Sequence, residues 1–235
     1  MSPFISSFST KTIRAFAYFA LFAMVGLSSC KKEEEKLPDG AYVRFINASP
    51  TLGTFNIFFD NNILNTAAIP FGGTVSYALY AAGAHTVKYT TATNSSSVLT
   101  KQISLTANQI HSAYLIDKDA KLDLLLVVDD ASVTSTTKAF VKFINLSPDA
   151  PALNLDVKSG ANLVKDKTYK TGSAYIQIDP KTYDFDIKDS ASGAVKTTLT
   201  GVEMVAGRYY TIISRGLLTP GANDQAFSAQ SISNL

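Results

Sequence analysis

Tryptophan is missing from this chain, and its 235 residues include only one cysteine, two histidines and three methionines. A single cysteine excludes an intramolecular disulfide, so packing must supply stability. His85 and His111 form no His-x-x-x-His pair. There is also no Cys pair, no Gly-x-Ser-x-Gly elbow and no Gly-rich phosphate loop. No window after residue 29 carries a helical stripe. Without tryptophan, a sugar-binding platform would have to come from the 11 tyrosines, most of which a strand places in core or cross-strand pairs. Charge of either sign is also scarce. Removing Lys11 and Arg14 with the leader described below reduces 21 basic residues to 19, against 19 acidic. No basic stripe suited to a phosphate backbone is left, which argues against nucleic acid as a partner.

What the chain does contain is a repeated stretch. Tyr42-Val43-Arg44-Phe45-Ile46-Asn47-Ala48-Ser49-Pro50 returns as Phe140-Val141-Lys142-Phe143-Ile144-Asn145-Leu146-Ser147-Pro148. Alternation puts Val43 and Phe45, and likewise Val141 and Phe143, on one face of a strand, with Arg44 and Lys142 on the other. Asn-x-Ser-Pro then ends the strand. Proline has no N–H for a ladder, and Asn and Ser side chains bond nearby backbone. Asn47, Ser49, Pro50, Asn145, Ser147 and Pro148 are therefore assigned to shaping the corner. The match runs on through Asn56/Asn154, Phe71/Tyr169, Tyr77/Tyr175 and Val87/Phe185, then slips by one, so that Ala107 faces Ala206. Under this alignment His85 matches Tyr183 and His111 matches Tyr210, which makes each a packed ring. One domain has been duplicated, and two copies are too few for a solenoid.

The pattern resembles the family called domain of unknown function 4397, β-rich modules of bacterial exported and surface proteins. Its signature is a V-R-F/V-x-H/N-x-S-P-D-A-P-like strand and corner, followed by a D/N-hydrophobic-x-hydrophobic strand. The second copy keeps Ser147-Pro148-Asp149-Ala150-Pro151 and Leu153-Asn154-Leu155-Asp156-Val157, whereas the first has Ser49-Pro50-Thr51-Leu52-Gly53. Asn47 and Asn145 stand where His is common, and Asn56 and Asn154 where Asp is common. The resemblance covers about residues 41 to 235 and implies a domain type, not an activity.

Ahead of the repeats, Lys11 and Arg14 precede the apolar run Ala15 to Leu27, which ends Leu27-Ser28-Ser29-Cys30. A short basic region, an apolar stretch and small residues before a break mark an export signal. The run is too short to span a membrane comfortably. Leu-Ser-Ser-Cys is similar to a lipobox, which makes Cys30 the expected site of cleavage and acylation, with palmitate or a similar chain anchoring the protein in a lipid bilayer. Lys31-Lys32-Glu33-Glu34-Glu35 resembles the signal that sends lipoproteins of Bacteroidota to the outer face of the outer membrane. The expected location is thus the cell surface, with a periplasm-facing anchor as the alternative.

Short strands at eight-to-twelve-residue spacing, separated by Gly, Asn and Pro, predict an all-β fold of two tandem β-sandwich (Ig/transthyretin-like) domains. The expected divisions are 1–29 signal peptide, 30–40 acylated cysteine and tether, 41–131 repeat 1, 132–138 Ser/Thr linker and 139–235 repeat 2. In repeat 1, strands are expected at 41–47, 54–59, 74–80, 85–91, 98–106, 110–117 and 122–129. A last strand is expected through Ala226 to Ala229. Asp117-Lys118-Asp119-Ala120-Lys121-Leu122-Asp123 has spaced carboxylates but lacks the glycine and closing Glu of a calcium loop, and is expected to be a turn. Asp189-Ser190-Ala191 matches an O-glycosylation acceptor, with Ser190 the modified residue. No catalytic residue, metal or cofactor is assigned. The function expected is a non-catalytic envelope lipoprotein acting as a binding or scaffold module for an envelope protein or glycan. The alternatives are a glycan-binding subunit of a polysaccharide uptake system and, behind it, a cryptic hydrolase.

Overall fold

The computed structural model describes residues 39–234. Cys30 and the tether Lys31, Lys32, Glu33, Glu34 and Glu35 lie outside the described residues. Among the described residues no helix is long and apolar enough to cross a membrane.

Repeat 1 contains eight strands: β1 (Gly40–Asn47), β2 (Phe55–Phe59), β3 (Asn62–Ile63), β4 (Thr74–Ala81), β5 (Gly83–Thr91), β6 (Ser97–Leu105), β7 (Ile110–Ile116) and β8 (Asp123–Val128). Repeat 2 contains β9 (Ala139–Asn145), β10 (Leu153–Val157), β11 (Asn162–Lys167), β12 (Ile176–Ile178), β13 (Thr182–Asp189), β14 (Val195–Glu203), β15 (Tyr209–Arg215) and β16 (Ser228–Ser233). The sheet orders are β4-β1-β7-β8 with β3-β2-β5-β6, and β12-β9-β15-β16 with β11-β10-β13-β14. The second pair therefore repeats the first, strand for strand. Each repeat is a two-sheet sandwich. The last strand lies a little beyond the expected 226–229, and β3 is an addition.

Each doubled motif is a central strand. β1 pairs antiparallel with β4 and parallel with β7, Tyr42 opposite Ile110; β9 pairs parallel with β15, Phe140 opposite Tyr209. Parallel partners require a long crossover, here the excursion through the other sheet. Val43 and Phe45 face Ile57, Val87 and Tyr89 in one core, and Val141 and Phe143 face Leu155, Phe185 and Ile187 in the other. A third apolar cluster unites Ile46, Tyr114 and Ile116 of repeat 1 with Ile144, Ile213 and Ile232 of repeat 2. The two motif-bearing sheets thus pack against each other, and β1 and β9 are covered on both faces, as buried parallel strands are.

The one-residue slip in the alignment has a structural cause. Val87 and His85 pair with Lys101 and Ile103, two apart on both strands, whereas Phe185 and Tyr183 pair with Leu199 and Val202. The extra residue is a bulge at Gly201, whose φ of +68° suits glycine. A longer insertion, residues 217–227, lets repeat 2 reach repeat 1. Gln225 N donates to Pro50 O at 3.0 Å, and Lys118 pairs with Asp224 at 2.7 Å.

Candidate functional site

The strand ends position everything around them. Asn47 Oδ1 accepts from Ser49 N and Asn145 Oδ1 from Ser147 N, both at 3.1 Å. Their amides donate to Ile69 O at 3.2 Å and to Lys167 O at 3.0 Å. Ser49 Oγ donates to Asp117 O and Ser147 Oγ to Gly216 O, each at 2.7 Å. Both acceptor residues are left-handed, with φ of +60° and +79°. Pro50 and Pro148 follow, and at the first corner the Pro50 carbonyl is where the long loop of repeat 2 docks.

Arg44 and Lys142, on the outer faces of the two central strands, meet in the seam between the sandwiches. They are 4% and 3% exposed. Arg44 donates through Nε to Ser112 Oγ at 2.8 Å, through Nη1 to Ser233 O at 2.9 Å and through Nη2 to Asn234 Oδ1 at 3.0 Å. Lys142 Nζ forms a short ion pair with Asp129 Oδ1, while Tyr77 donates to Asp129 Oδ2 at 2.7 Å and Ser112 donates to the same oxygen. On the other side Thr211 donates to Asn234 Oδ1 at 3.0 Å and Asn234 Nδ2 donates to Tyr175. Arg44 lies 4.6 Å over the Tyr77 ring and Lys142 4.8 Å over the Tyr175 ring. Each cation therefore crosses to the residue that follows the last strand of the opposite repeat, Arg44 to Asn234 and Lys142 to Asp129, under a pseudo-twofold relation. Burial pulls the Lys142 ammonium below its ordinary value, with Asp129 pushing it back up. Burial, and then the charge of Asp129, push the Tyr77 and Tyr175 hydroxyls up, so both stay protonated.

Two clefts flank this seam. One, about 480 Å³, is lined by β8 (Leu125 to Val128), the connecting residues Asp130, Ser132 and Val133, and the approach to β12 from Lys170 to Gln177. Phe140, Lys142, Tyr175 and Tyr209 also line it. Phe140 and Tyr209 stack at 4.5 Å, and Tyr209 meets Tyr175 edge-on at 5.1 Å. The Tyr209 hydroxyl donates to Ala131 O at 3.2 Å and to Val133 O, tying the connection down over the ring. The other cleft, about 460 Å³, lies between β4 and β16 and is lined by Arg44, Gly72 to Tyr77 and Gln230 to Ser233. Leu125, Leu126 and Val128 of β8 correspond to Gln230, Ser231 and Ser233 of β16, so equivalent places are apolar on one side and polar on the other.

The remaining residues singled out in the sequence lie elsewhere. His85 stacks on Phe59 at 4.7 Å, pairs Nδ1 with Asp60 at 2.6 Å and reaches Ala81 O through Nε2 at 2.8 Å; Tyr183 likewise donates to Asp179 O at 3.0 Å. His111 is buried, and burial lowers its pKa. Asp117 to Asp123 forms a single 3₁₀ turn (Asp119–Lys121), with Asp117 bonded by Tyr169 at 3.2 Å and Asp123 paired with Lys101 at 2.5 Å and Lys170 at 3.2 Å. Among the described residues no three His, Cys, Asp or Glu side chains gather as a metal site requires. Ser190 sits in the turn after β13, half-buried, its hydroxyl donating to Asp166. Sequence reasoning missed Ser112, Asp129, Thr211 and Asn234. The available signal was a basic residue at the same place in both copies, within a strand otherwise apolar.

These features define a class: a doubled β-sandwich whose copies share one buried, partly ionic seam. The chain belongs to the family described as Domain of unknown function (DUF4397), whose model matches residues 41–158, all of repeat 1 together with β9 and β10. No curated protein matches the chain. Among solved structures, the Bacillus anthracis TIE protein is similar at 12% identity over 79% of this chain and 34% of that one, with a TM-score of 0.24. A family CBM26 module, CBMbc of Eubacterium rectale Amy13K, solved with maltoheptaose, shows 7% identity over 83% and 97%, with a TM-score of 0.26. A leucine-rich repeat protein from Bacteroides thetaiotaomicron shows 10% identity over 80% and 27%, with a TM-score of 0.23. The chain spans about a third of the first protein and about a quarter of the third.

Proposed function

We propose that this chain is a non-catalytic envelope lipoprotein, anchored in the outer membrane by acyl chains on Cys30 and displayed at the cell surface as a binding or scaffold module. The observation that carries the binding role is the 480 Å³ cleft beside the seam, within the size of small-ligand sites and walled mainly by apolar side chains with a few polar groups. Acyl chains contribute about 0.8 kcal/mol per buried methylene, and two or more make attachment durable. Cys30→Ser is expected to abolish incorporation of a palmitate analogue. Replacing Lys31, Lys32, Glu33, Glu34 and Glu35 by alanine is expected to reduce protease shaving on whole cells. Continued labelling at position 30 would refute the anchor, and unchanged shaving the surface location. Glycosylation of Ser190 belongs to the same surface reading, and mass spectrometry of the native protein showing only unmodified Ser190 peptide ends it.

A glycan-binding role in polysaccharide uptake is the second reading, favoured by Tyr175 beside Lys170, Ser173 and Gln177 in the same cleft. A positive glycan array that falls silent in Ala174→Glu would support it. An array silent for the unmodified protein removes it and leaves an envelope protein as the partner.

A further inference from the structure

The polar cleft between β4 and β16 holds a guanidinium, Arg44, to which no carboxylate is directly hydrogen-bonded. The seam buries two cations, Arg44 and Lys142, around one carboxylate, Asp129. In the place equivalent to Asp129, repeat 2 has Asn234, so Arg44 meets only neutral acceptors: a serine hydroxyl, a backbone carbonyl and an amide oxygen. Nε, Nη1 and Nη2 each donate one of these bonds, and the buried Tyr114 hydroxyl also lies within reach of the guanidinium. A second guanidinium lies behind Gly72, outside the cleft lining. Arg215 lies against Gly72, so close that a Cβ there would fall 1.9 Å from Nη1, and covers the Phe71 ring at 4.1 Å. Its Nε and Nη1 are buried without a hydrogen-bond partner, as is Gln230 Oε1 on the cleft wall. Among the described residues neither guanidinium has an acidic partner, and no acid lines the cleft. The corresponding position in repeat 1 is Ile116, part of the apolar cluster, so packing of the fold does not itself call for Arg215.

We propose that this cleft is an oxyanion-binding site, with Arg44 at its base and the hydroxyls of Thr74, Ser76 and Ser231 along its walls. The ligand class is one bearing a carboxylate, sulfate or phosphate. A buried guanidinium without a counter-ion is held at an electrostatic cost that an incoming anion relieves, and its planar N–H fork matches such groups. The site lies at the opposite edge of the seam from the apolar cleft and does not depend on the function assigned there.

The test is titration of the full-length purified protein with phosphate, sulfate and acetate at constant ionic strength set with chloride. Binding is followed by calorimetry and, for phosphate, by ³¹P line broadening. Saturable binding of at least one of the three is expected, and the tightest identifies the anionic group. Two variants supply a carboxylate internally: Asn234→Asp completes the pseudo-twofold pairing for Arg44, and Ser76→Asp adds a carboxylate on the exposed wall. Each is expected to weaken binding about tenfold or more, while circular dichroism shows the native fold. Ala174→Glu, in the other cleft, is expected to leave anion binding unchanged. The proposal is overturned if no anion saturates the unmodified protein, or if binding is unaltered in whichever of the two Asp variants folds.

Discussion

Lys142 and Asp129 are almost fully enclosed, at 3% and 2% side-chain exposure, so Lys142 depends on Asp129 to offset the burial of its charge. Asp129 also accepts from Tyr77 and Ser112, which makes it the acceptor on which one half of the seam converges. Asp129→Asn is therefore expected to destabilise the protein by about 3–5 kcal/mol, because Lys142 is left as an uncompensated buried cation. Urea unfolding measures this. The double change Asp129→Asn with Lys142→Met is expected to recover most of the loss, since no unpaired charge then remains. A single variant as stable as the unmodified protein would show that Lys142 sheds its proton, or that water reaches it. Arg44 was visible in the sequence as a basic residue on a strand face, and its counterpart Lys142 likewise. Their shared destination was not, because a strand's alternation distinguishes two faces without saying what covers the second.

Strand ends, not strand middles, distinguish the elements of this fold. The corner serines donate to the left-handed residues that follow β7 and β15, so each corner pins the end of the neighbouring parallel strand. At Gly216 the left-handed conformation coincides with close packing, since a Cβ there would lie 2.1 Å from Ala226 O; Asp117 holds the same conformation with a side chain because no comparable loop crosses it. Ser49→Ala and Ser147→Ala are each expected to cost about 1–3 kcal/mol, the range for stranding a buried acceptor, read as a lower urea midpoint with unchanged slope. A cost near zero at both corners would mean that Asn47 and Asn145 hold them unaided. Seven of the eight strands of repeat 1 were legible from alternation and turn residues. The two-residue β3 was not, being too short to show a period, and Gly201 was visible only as a slip in the repeat.

At the scale of the whole molecule, the apolar cluster of Ile46, Tyr114, Ile144 and Ile213 and the crossed cations make the two sandwiches share a core. The described residues fall within one compact unit. A single cooperative unfolding transition is expected, with calorimetric and van't Hoff enthalpies equal. Ile213→Glu, which puts a charge into the shared cluster, is expected to split or broaden it. Two resolved transitions in the unmodified protein would refute the coupling.

The sequence by itself determined the duplication, the all-β class and the positions of seven strands of repeat 1. These follow from side-chain alternation, from proline's missing donor and from the turn preferences of Gly, Asn and Asp, all of which act within a few residues. The tertiary structure alone decided that the outer faces of the two motif strands meet, that Arg44 lies beside Asn234, 190 residues away, and that one flanking cleft is apolar and the other cationic. Those outcomes depend on which surfaces the two folded copies bury against each other, and no local period records that.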